Sequence, residues 1–211
     1  MIGLILEGEN MKYFGDAVIL CGGKSRRMGF DKSLMKIGDE FVIDIMAEKL
    51  SQVFNSVSLC VNGADSEKFS RFGMNLIEDV FNDGIGPAAA IHAALSNAKS
   101  KYIFAIAVDM PLLNTQHILH MLALTQQHMP DALVPVNSGF PEPLYAFYSV
   151  DVLDIFAKDI GEGKYGMRKM LSKFNTYYLD EDESRRFAPN LEMFTNLNYV
   201  EDLSKICEGT P

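Results

Sequence analysis

Three glycines, Gly22, Gly23 and Gly29, are interleaved with four basic residues, Lys24, Arg26, Arg27 and Lys32, in the segment from Leu20 to Lys32. Glycine lets a backbone take unusual dihedrals and come close to a ligand, aiming N–H groups at its oxygens. Arginine and lysine add charge-assisted hydrogen bonds to the same anion. The chemistry these residue types point to is phosphate binding. A structural turn would account for Gly22-Gly23 alone, but not for the interleaving with cations. Neither of the two common phosphate loops is present: the spacing fits no Gly-x-x-x-x-Gly-Lys-Ser/Thr and no Gly-x-Gly-x-x-Gly.

Three further polar residues follow apolar runs. Asp109 comes directly after Tyr102–Val108, where a carboxylate opens onto the ligand side of a parallel sheet. An Asp there suits Mg²⁺, which binds through one or two carboxylates together with substrate phosphates. The other reading, a cap for the helix near Thr115, puts the side chain five residues too early. Asp79 ends a weaker run, Met74–Glu78, and Asn62 ends Ser56–Val61; each also reads as an ordinary turn residue before a glycine.

These residues need a scaffold that gathers strand ends. Ala17–Cys21, Ser56–Val61, Met74–Glu78 and Tyr102–Val108 read as strands, the last buried on both faces. Between them lie helical patterns. Val42–Phe54 puts Val42, Ile45, Met46, Lys49, Leu50 and Val53 on one stripe; Ala88–Ala98 follows Pro87; Thr115–Gln127 starts with Thr115 as its N-cap. Alternating strands and helices imply a mostly parallel, Rossmann-like sheet covered by helices on both faces, a three-layer α/β fold. After Pro130 the pattern becomes less regular. Ala132–Val136 and Leu144–Tyr148 read as strands, the second able to pair antiparallel, and helices are expected at Val150–Ile160, Gly166–Phe174 and Glu201–Ile206. No linker or repeat interrupts the 211 residues, so one domain is expected, with residues 1–10, ahead of Met11, as a dispensable extension.

Composition limits the remaining classes. A net charge of −9 argues against a general nucleic-acid binder, and five of the nineteen basic residues fall between Lys24 and Lys36. No apolar run reaches the ~18 residues a membrane span needs, and the start lacks the basic flank of a secretory signal. Cys21, Cys60 and Cys207 form no Cys-x-x-Cys pair and leave one unpaired, which suits a reduced, cytoplasmic protein. The histidines at 92, 117, 120 and 128 all fall on expected helices and read as structural.

The segment Leu20-Cys21-Gly22-Gly23-Lys24-Ser25-Arg26-Arg27-Met28-Gly29-Phe30-Asp31-Lys32 resembles the signature of the molybdenum-cofactor guanylyltransferases, Leu-x-Gly-Gly-x-Ser-x-Arg-Met-Gly-x-Asp-Lys. The similarity continues through Ile77-Glu78-Asp79, Gly86-Pro87, Asp109-Met110-Pro111, Pro143–Tyr148 and Asn196-Leu197-Asn198. It implies a Mg²⁺-dependent transfer of GMP from GTP to the terminal phosphate of the molybdopterin cofactor. Leu20, Cys21, Gly22 and Gly23 would cradle the nucleotide through backbone groups, with Lys32 on its phosphates and Arg27 offsetting charge in the transition state. Asn62 would contact the nucleotide, Asp79 would accept from guanine N–H groups, and Asp109 would hold the metal. On the acceptor side the resemblance points to Lys164, Arg168, Lys169, Asn196 and Asn198. Contacts with cofactor-delivering or acceptor molybdoenzyme proteins would be transient.

Two departures stand out. Ala90 occupies the second glycine of the family's Gly-Pro-Leu-x-Gly, and Tyr199-Val200 stand where Thr-Pro is common. A methyl group near the base bears on guanine against cytosine. A cytidylyltransferase or a sugar-phosphate nucleotidyltransferase is therefore the nearer alternative, and a nucleotide-sensing module without catalysis the more distant one.

Overall fold

The computed structural model describes residues 13–22, 34–79, 81 and 85–197. In chain order the elements are β1 (Tyr13–Leu20), β2 (Lys36–Ile37), β3 (Glu40–Phe41), α1 (Val42–Ser51), β4 (Phe54–Asn62), α2 (Ser66–Phe69), β5 (Asn75–Asp79) and α3 (Pro87–Ser96). There follow β6 (Tyr102–Ala107), α4 (Thr115–His128), β7 (Ala132–Asn137), β8 (Phe140–Pro141), β9 (Tyr145–Ser149), α5 (Leu153–Gly161), α6 (Met167–Leu171), β10 (Thr176–Leu179) and α7 (Glu181–Arg185).

The main sheet runs in the order β10-β7-β9-β6-β1-β4-β5, with β8 paired to β7 off that path. β1 is parallel to β4 and β6, and β4 is parallel to β5. β9 is antiparallel to both neighbours, so β7 again runs with β6, and β10 is parallel to β7. The expected three-layer architecture is present, and the antiparallel strand is the one expected near Leu144–Tyr148.

Alternation along the strands makes the two cores. Ala17 and Ile19 of β1 face one side with Leu59, Val61, Phe104 and Ile106, under α1 and α4. Val18 and Leu20 face the other with Cys60, Ile77, Ile103 and Ala105, under α3, α5 and α6. On α1 the buried positions are Val42, Ile43, Met46 and Leu50; each apolar side chain so buried stabilises the fold by ~1.5–3 kcal/mol. Asp16 is buried for a different purpose: its Oδ2 accepts from the Lys99 and Ser100 amides at 2.8 and 2.9 Å, which sets the start of β6 against β1.

Several boundaries differ from the periodicity. The Val42–Phe54 helix stops at Ser51, because Val53 and Phe54 are drawn into the strand side of the core, where Phe54 stacks on Phe104. The strand expected at Ala17 starts at Tyr13 and takes in Gly15 and Asp16. Thr115 is not the cap of α4. Asn114 is, with Oδ1 accepting the His117 amide at 3.0 Å; an Asn in extended conformation outranks the Thr that follows it as the first helical residue. The Gly166–Phe174 helix is shortened to Met167–Leu171, and the β2–β3 hairpin, β10 and α7 were not expected. Residues 1–10 and the helix expected at Glu201–Ile206 lie outside the described residues.

Candidate nucleotide site

Parallel strands end on one edge of a sheet, and in this fold four of them end side by side. The register pairs Leu20 with Cys60 on one side and with Ala107 on the other. Asn62 pairs directly with Asp79, Gly22 follows the end of β1, and Asp109 lies in the turn after β6 that the Met110 amide closes on the Ala107 carbonyl at 3.0 Å. All four stand at or just beyond the carboxyl ends of β6, β1, β4 and β5, on one edge of the sheet. The strands β6 and β5 themselves are three strand steps apart, roughly 14 Å.

Each position is held locally. The Leu20 carbonyl accepts from the Val108 amide at 3.2 Å, and the Cys21 amide donates to the Cys60 carbonyl at 2.8 Å, so the chain enters the loop as an extension of the ladder. The Asn62 side chain caps the turn at Gly63–Asp65 by accepting from the Ala64 amide at 3.0 Å. Asp79 Oδ1 accepts from the Phe81 amide at 2.9 Å. Both residues thus fulfil the turn roles open to them in the sequence while standing at the sheet edge. The Asp109 carbonyl accepts from the Leu197 amide at 2.7 Å, and Leu197 is fully buried. This bond brings Asn196, exposed on the surface, to the end of β6. Among the described residues no three His, Cys, Asp or Glu side chains gather as a metal cluster. A single partly exposed carboxylate is the donor set that fits Mg²⁺ shared with substrate phosphates.

The base end is walled by α3. Gly86 takes φ 78°, ψ −146°, a conformation reserved for glycine, and Pro87 opens the helix. Phe81 packs its ring 5.0 Å from His92, edge to face. Burial lowers the His92 pKa, against a pull upward from Asp79, and His92 Nδ1 is buried without a hydrogen-bond partner. Burial, assisted by Asp79, pushes the Cys60 thiol up to about 12, so it stays protonated and donates to the Ala90 carbonyl at 3.4 Å. Ala90 itself is 8% exposed and belongs to the cluster that packs α3 on the sheet, beside Cys60 and Leu20.

On the acceptor side the expected residues have different partners. Lys164 pairs with Glu162 at 2.5 Å on an exposed loop, and Lys169 is exposed on α6. Arg168 reaches across to the β7–β8 hairpin, its guanidinium 4.5 Å from the Phe140 ring. Phe81 and Glu142 were passed over in the sequence, although an aromatic directly after a strand end and a carboxylate between Pro141 and Pro143 were available signals. All four histidines have structural contacts: beside the His92–Phe81 pair, His117 Nε2 lies 3.1 Å from Ser184 Oγ, His120 pairs with Glu183 and His128 stacks on Tyr177. Gly23, Lys24, Arg26, Arg27, Gly29, Lys32 and Asn198 lie outside the described residues.

A mostly parallel α/β sheet with a glycine-rich segment leaving its first strand and carboxylates at the carboxyl edge beside β5 and β6 is built as a nucleotide-binding α/β protein. The family model described as the MobA-like NTP transferase domain matches residues 17–179. A probable molybdenum cofactor guanylyltransferase of Peptoclostridium acidaminophilum is 34% identical over 209 residues, which is 97% of this chain and 93% of that one. A molybdenum cofactor guanylyltransferase of Syntrophotalea carbinolica is 33% identical, over 91% of this chain and 90% of its own. The crystal structure of molybdopterin-guanine dinucleotide biosynthesis protein A from Archaeoglobus fulgidus superposes with a TM-score of 0.80 at 27% identity, covering 92% of this chain and all of that one. The chain belongs to the MobA-like NTP transferase domain family.

Proposed function

We propose that this protein transfers GMP from GTP to the terminal phosphate of a molybdopterin cofactor, releasing pyrophosphate. The observation that carries this reading is that Asp109, Gly22, Asn62 and Asp79 gather at the carboxyl ends of four parallel strands, on one sheet edge, in a chain whose relatives named above are guanylyltransferases over nearly their whole length. GTP lies along that edge with its guanine at Asp79 and its phosphates between Gly22 and Asp109. A carboxylate accepts from the adjacent N1–H and N2–H of guanine, a donor pair that adenine and cytosine lack. Asn62 contacts the nucleoside, and the backbone from Leu20 through Gly23 approaches the phosphates.

An oxygen of the acceptor phosphate attacks the α-phosphorus of GTP in line, and the bond from that phosphorus to the β-phosphate oxygen breaks. Such transfers rest on positioning and charge neutralisation, not on a protein nucleophile. By their places in the motif, Lys32 holds the phosphates and Arg27 offsets the charge that develops during transfer. Asp109 would hold Mg²⁺, which when bound neutralises phosphate charge. Its own backbone is fixed by Leu197, so the carboxylate is presented from a set position. The thiols of Cys21 and Cys60, which donate to the carbonyls of Ile19 and Ala90, support a reducing, cytoplasmic setting. Contact with proteins that deliver or receive the cofactor is transient. Among the described residues no helix is long and apolar enough to cross a membrane.

Calorimetric titration with GTP, CTP and ATP in the presence of Mg²⁺ tests this reading, with selective GTP binding as the expected result. A preference for CTP would move the function to a cytidylyl transfer on the same fold. Asp109→Ala is expected to lower turnover by at least ~100-fold, on the scale of losing one group that stabilises transition-state charge, with an unchanged melting curve. Normal Mg²⁺-dependent turnover by that variant would remove Asp109 from the metal role.

A further inference from the structure

The hairpin that leaves β7 carries an unexplained combination of groups. β7 runs parallel to β6, so Asn137 and the turn Ser138-Gly139 stand on the same sheet edge as Asp109. β9 lies between the two strands, which separates them by about 10 Å. At the hairpin Phe140 is 55% exposed, unusual for so large an apolar ring. Arg168, on a separate helix, lies over it at 4.5 Å. Beside them Glu142 is half-buried, with Oε1 accepting from Asn137 Nδ2 at 3.0 Å. Burial raises its carboxyl above the ordinary range, opposed by Asn137 and by the charge of Arg168. Among the described residues Oε2 has no other hydrogen-bond partner. The β6–β9 ladder extends as far as the Ala107 amide on the Leu144 carbonyl, 2.9 Å, and Glu142 is held on β7 by its amide donating to the Pro135 carbonyl at 2.9 Å.

An aromatic ring backed by a guanidinium is a stacking plate for a flat heterocycle. A half-desolvated carboxylate at its side is acceptor-only while ionised, so it favours an edge of paired N–H donors. A pterin has that shape and that edge: a planar bicycle with an amino group at C2 next to N3–H. Resting on the function proposed above, we infer that Phe140, Arg168 and Glu142 form the pterin-recognition end of the acceptor site. Phe140 and Arg168 hold the ring, and Glu142 accepts from the 2-amino and N3–H groups. The terminal phosphate then points across β9 towards Asp109. The carboxylates at the two ends of this arrangement, Asp79 and Glu142, read the same donor pair in two different substrates.

The test uses the full chain with two fluorescent probes, pterin-6-carboxylate and lumazine-6-carboxylate, which carries a carbonyl at C2 in place of the amino group. GTP affinity is measured in parallel by calorimetry. The wild type is expected to bind the pterin at least about tenfold more tightly than the lumazine, because a buried acceptor rejects a ligand that lacks the donor. Glu142→Gln keeps an oxygen for Asn137 but turns an amide towards the probe, and should reduce that preference to within about threefold. Phe140→Ala should weaken both probes by about tenfold, in line with loss of a stacking partner. GTP affinity should be the same in all three proteins. Preserved discrimination in Glu142→Gln, or wild-type probe binding by Phe140→Ala, would overturn the site. So would a wild type that binds GTP but not the pterin. A wild type that binds the pterin selectively but not GTP would instead count against the proposed nucleotide chemistry and leave this site standing.

Discussion

Acidifying the protein from about pH 7.5 to about pH 5 is expected to lower its folding stability by about 2 kcal/mol through the imidazole of His117 alone. The side chain is fully buried on α4, within ring-contact distance of Tyr145, Phe187 and Phe194. The Ser184 hydroxyl donates to the Asp180 carbonyl at 3.3 Å, so the ring donates to Ser184 from Nε2, at 3.1 Å. Nδ1 is left buried without a partner, and a proton added there would have no acceptor. Burial, with a smaller contribution from His120, lowers the pKa from 6.5 to about 4. Between those values the unfolded chain carries the proton and the native protein does not. Stability is therefore full above the unfolded value and declines as pH falls towards the folded one. The whole interval corresponds to about 3 kcal/mol, of which about 2 are lost by pH 5. Urea unfolding followed by circular dichroism, at both pH values, should show this in the wild type but not in His117→Gln, which retains a donor for Ser184. With an m-value in the usual range the midpoints should diverge by about 1 M. The remaining histidines are common to both proteins and cancel. Equal losses in the two would refute the assignment of His117 as a neutral buried group. The contact has a bearing on the site, because Phe187 and Phe194 belong to the segment that carries Leu197 to Asp109.

Asp79→Asn keeps an oxygen for the Phe81 amide but removes an acceptor from the base end, and should weaken GTP binding by ~1–3 kcal/mol while leaving CTP and ATP unchanged in calorimetry. Among the described residues Gly86→Ala meets no atom within 4 Å, so its cost there is dihedral strain at φ 78°; ~1–3 kcal/mol should appear as a melting temperature lower by several degrees. Asn114→Ala removes the cap of α4 together with a bond to the Phe187 carbonyl. It should destabilise by at least ~1 kcal/mol in the same assay, with GTP affinity unaffected.

The parallel half was readable because its strands are apolar on both faces and its helices carry one apolar stripe. Tyr102–Ala107 and Ala17–Leu20 could hardly be anything else. β10 escaped notice because Thr176, Tyr177 and Tyr178 are partly or wholly exposed at a sheet edge and only Leu179 is buried, so no alternation marks it. α7 is an acidic five-residue helix, shown in the sequence only by the capping residue Asp180. The positions of Asp109, Asn62 and Asp79 followed from counting strand ends. The Leu197–Asp109 bond and the stack of Arg168 on Phe140 did not. Both join residues far apart in the chain, and neither involves a periodic pattern or a turn signal that local reading detects.

The place of β9 has a consequence for how the molecule is made. Synthesis delivers β6, then α4, then β7, and only afterwards the strand that must lie between β6 and β7. Until Tyr145–Ser149 leaves the ribosome, β6 offers an open edge with its buried run Ile103–Ala107, and β7 has no neighbour on its inner side. Such edges are templates for pairing with other chains. The hydrogen-bonding capacity of the half-made sheet is at its most exposed while α4 and the β7–β8 hairpin are being translated. Late insertion of β9 is thus the step at which the nascent protein either closes its sheet or pairs with a second copy, and slowing translation across residues 110–145 should favour aggregation over yield.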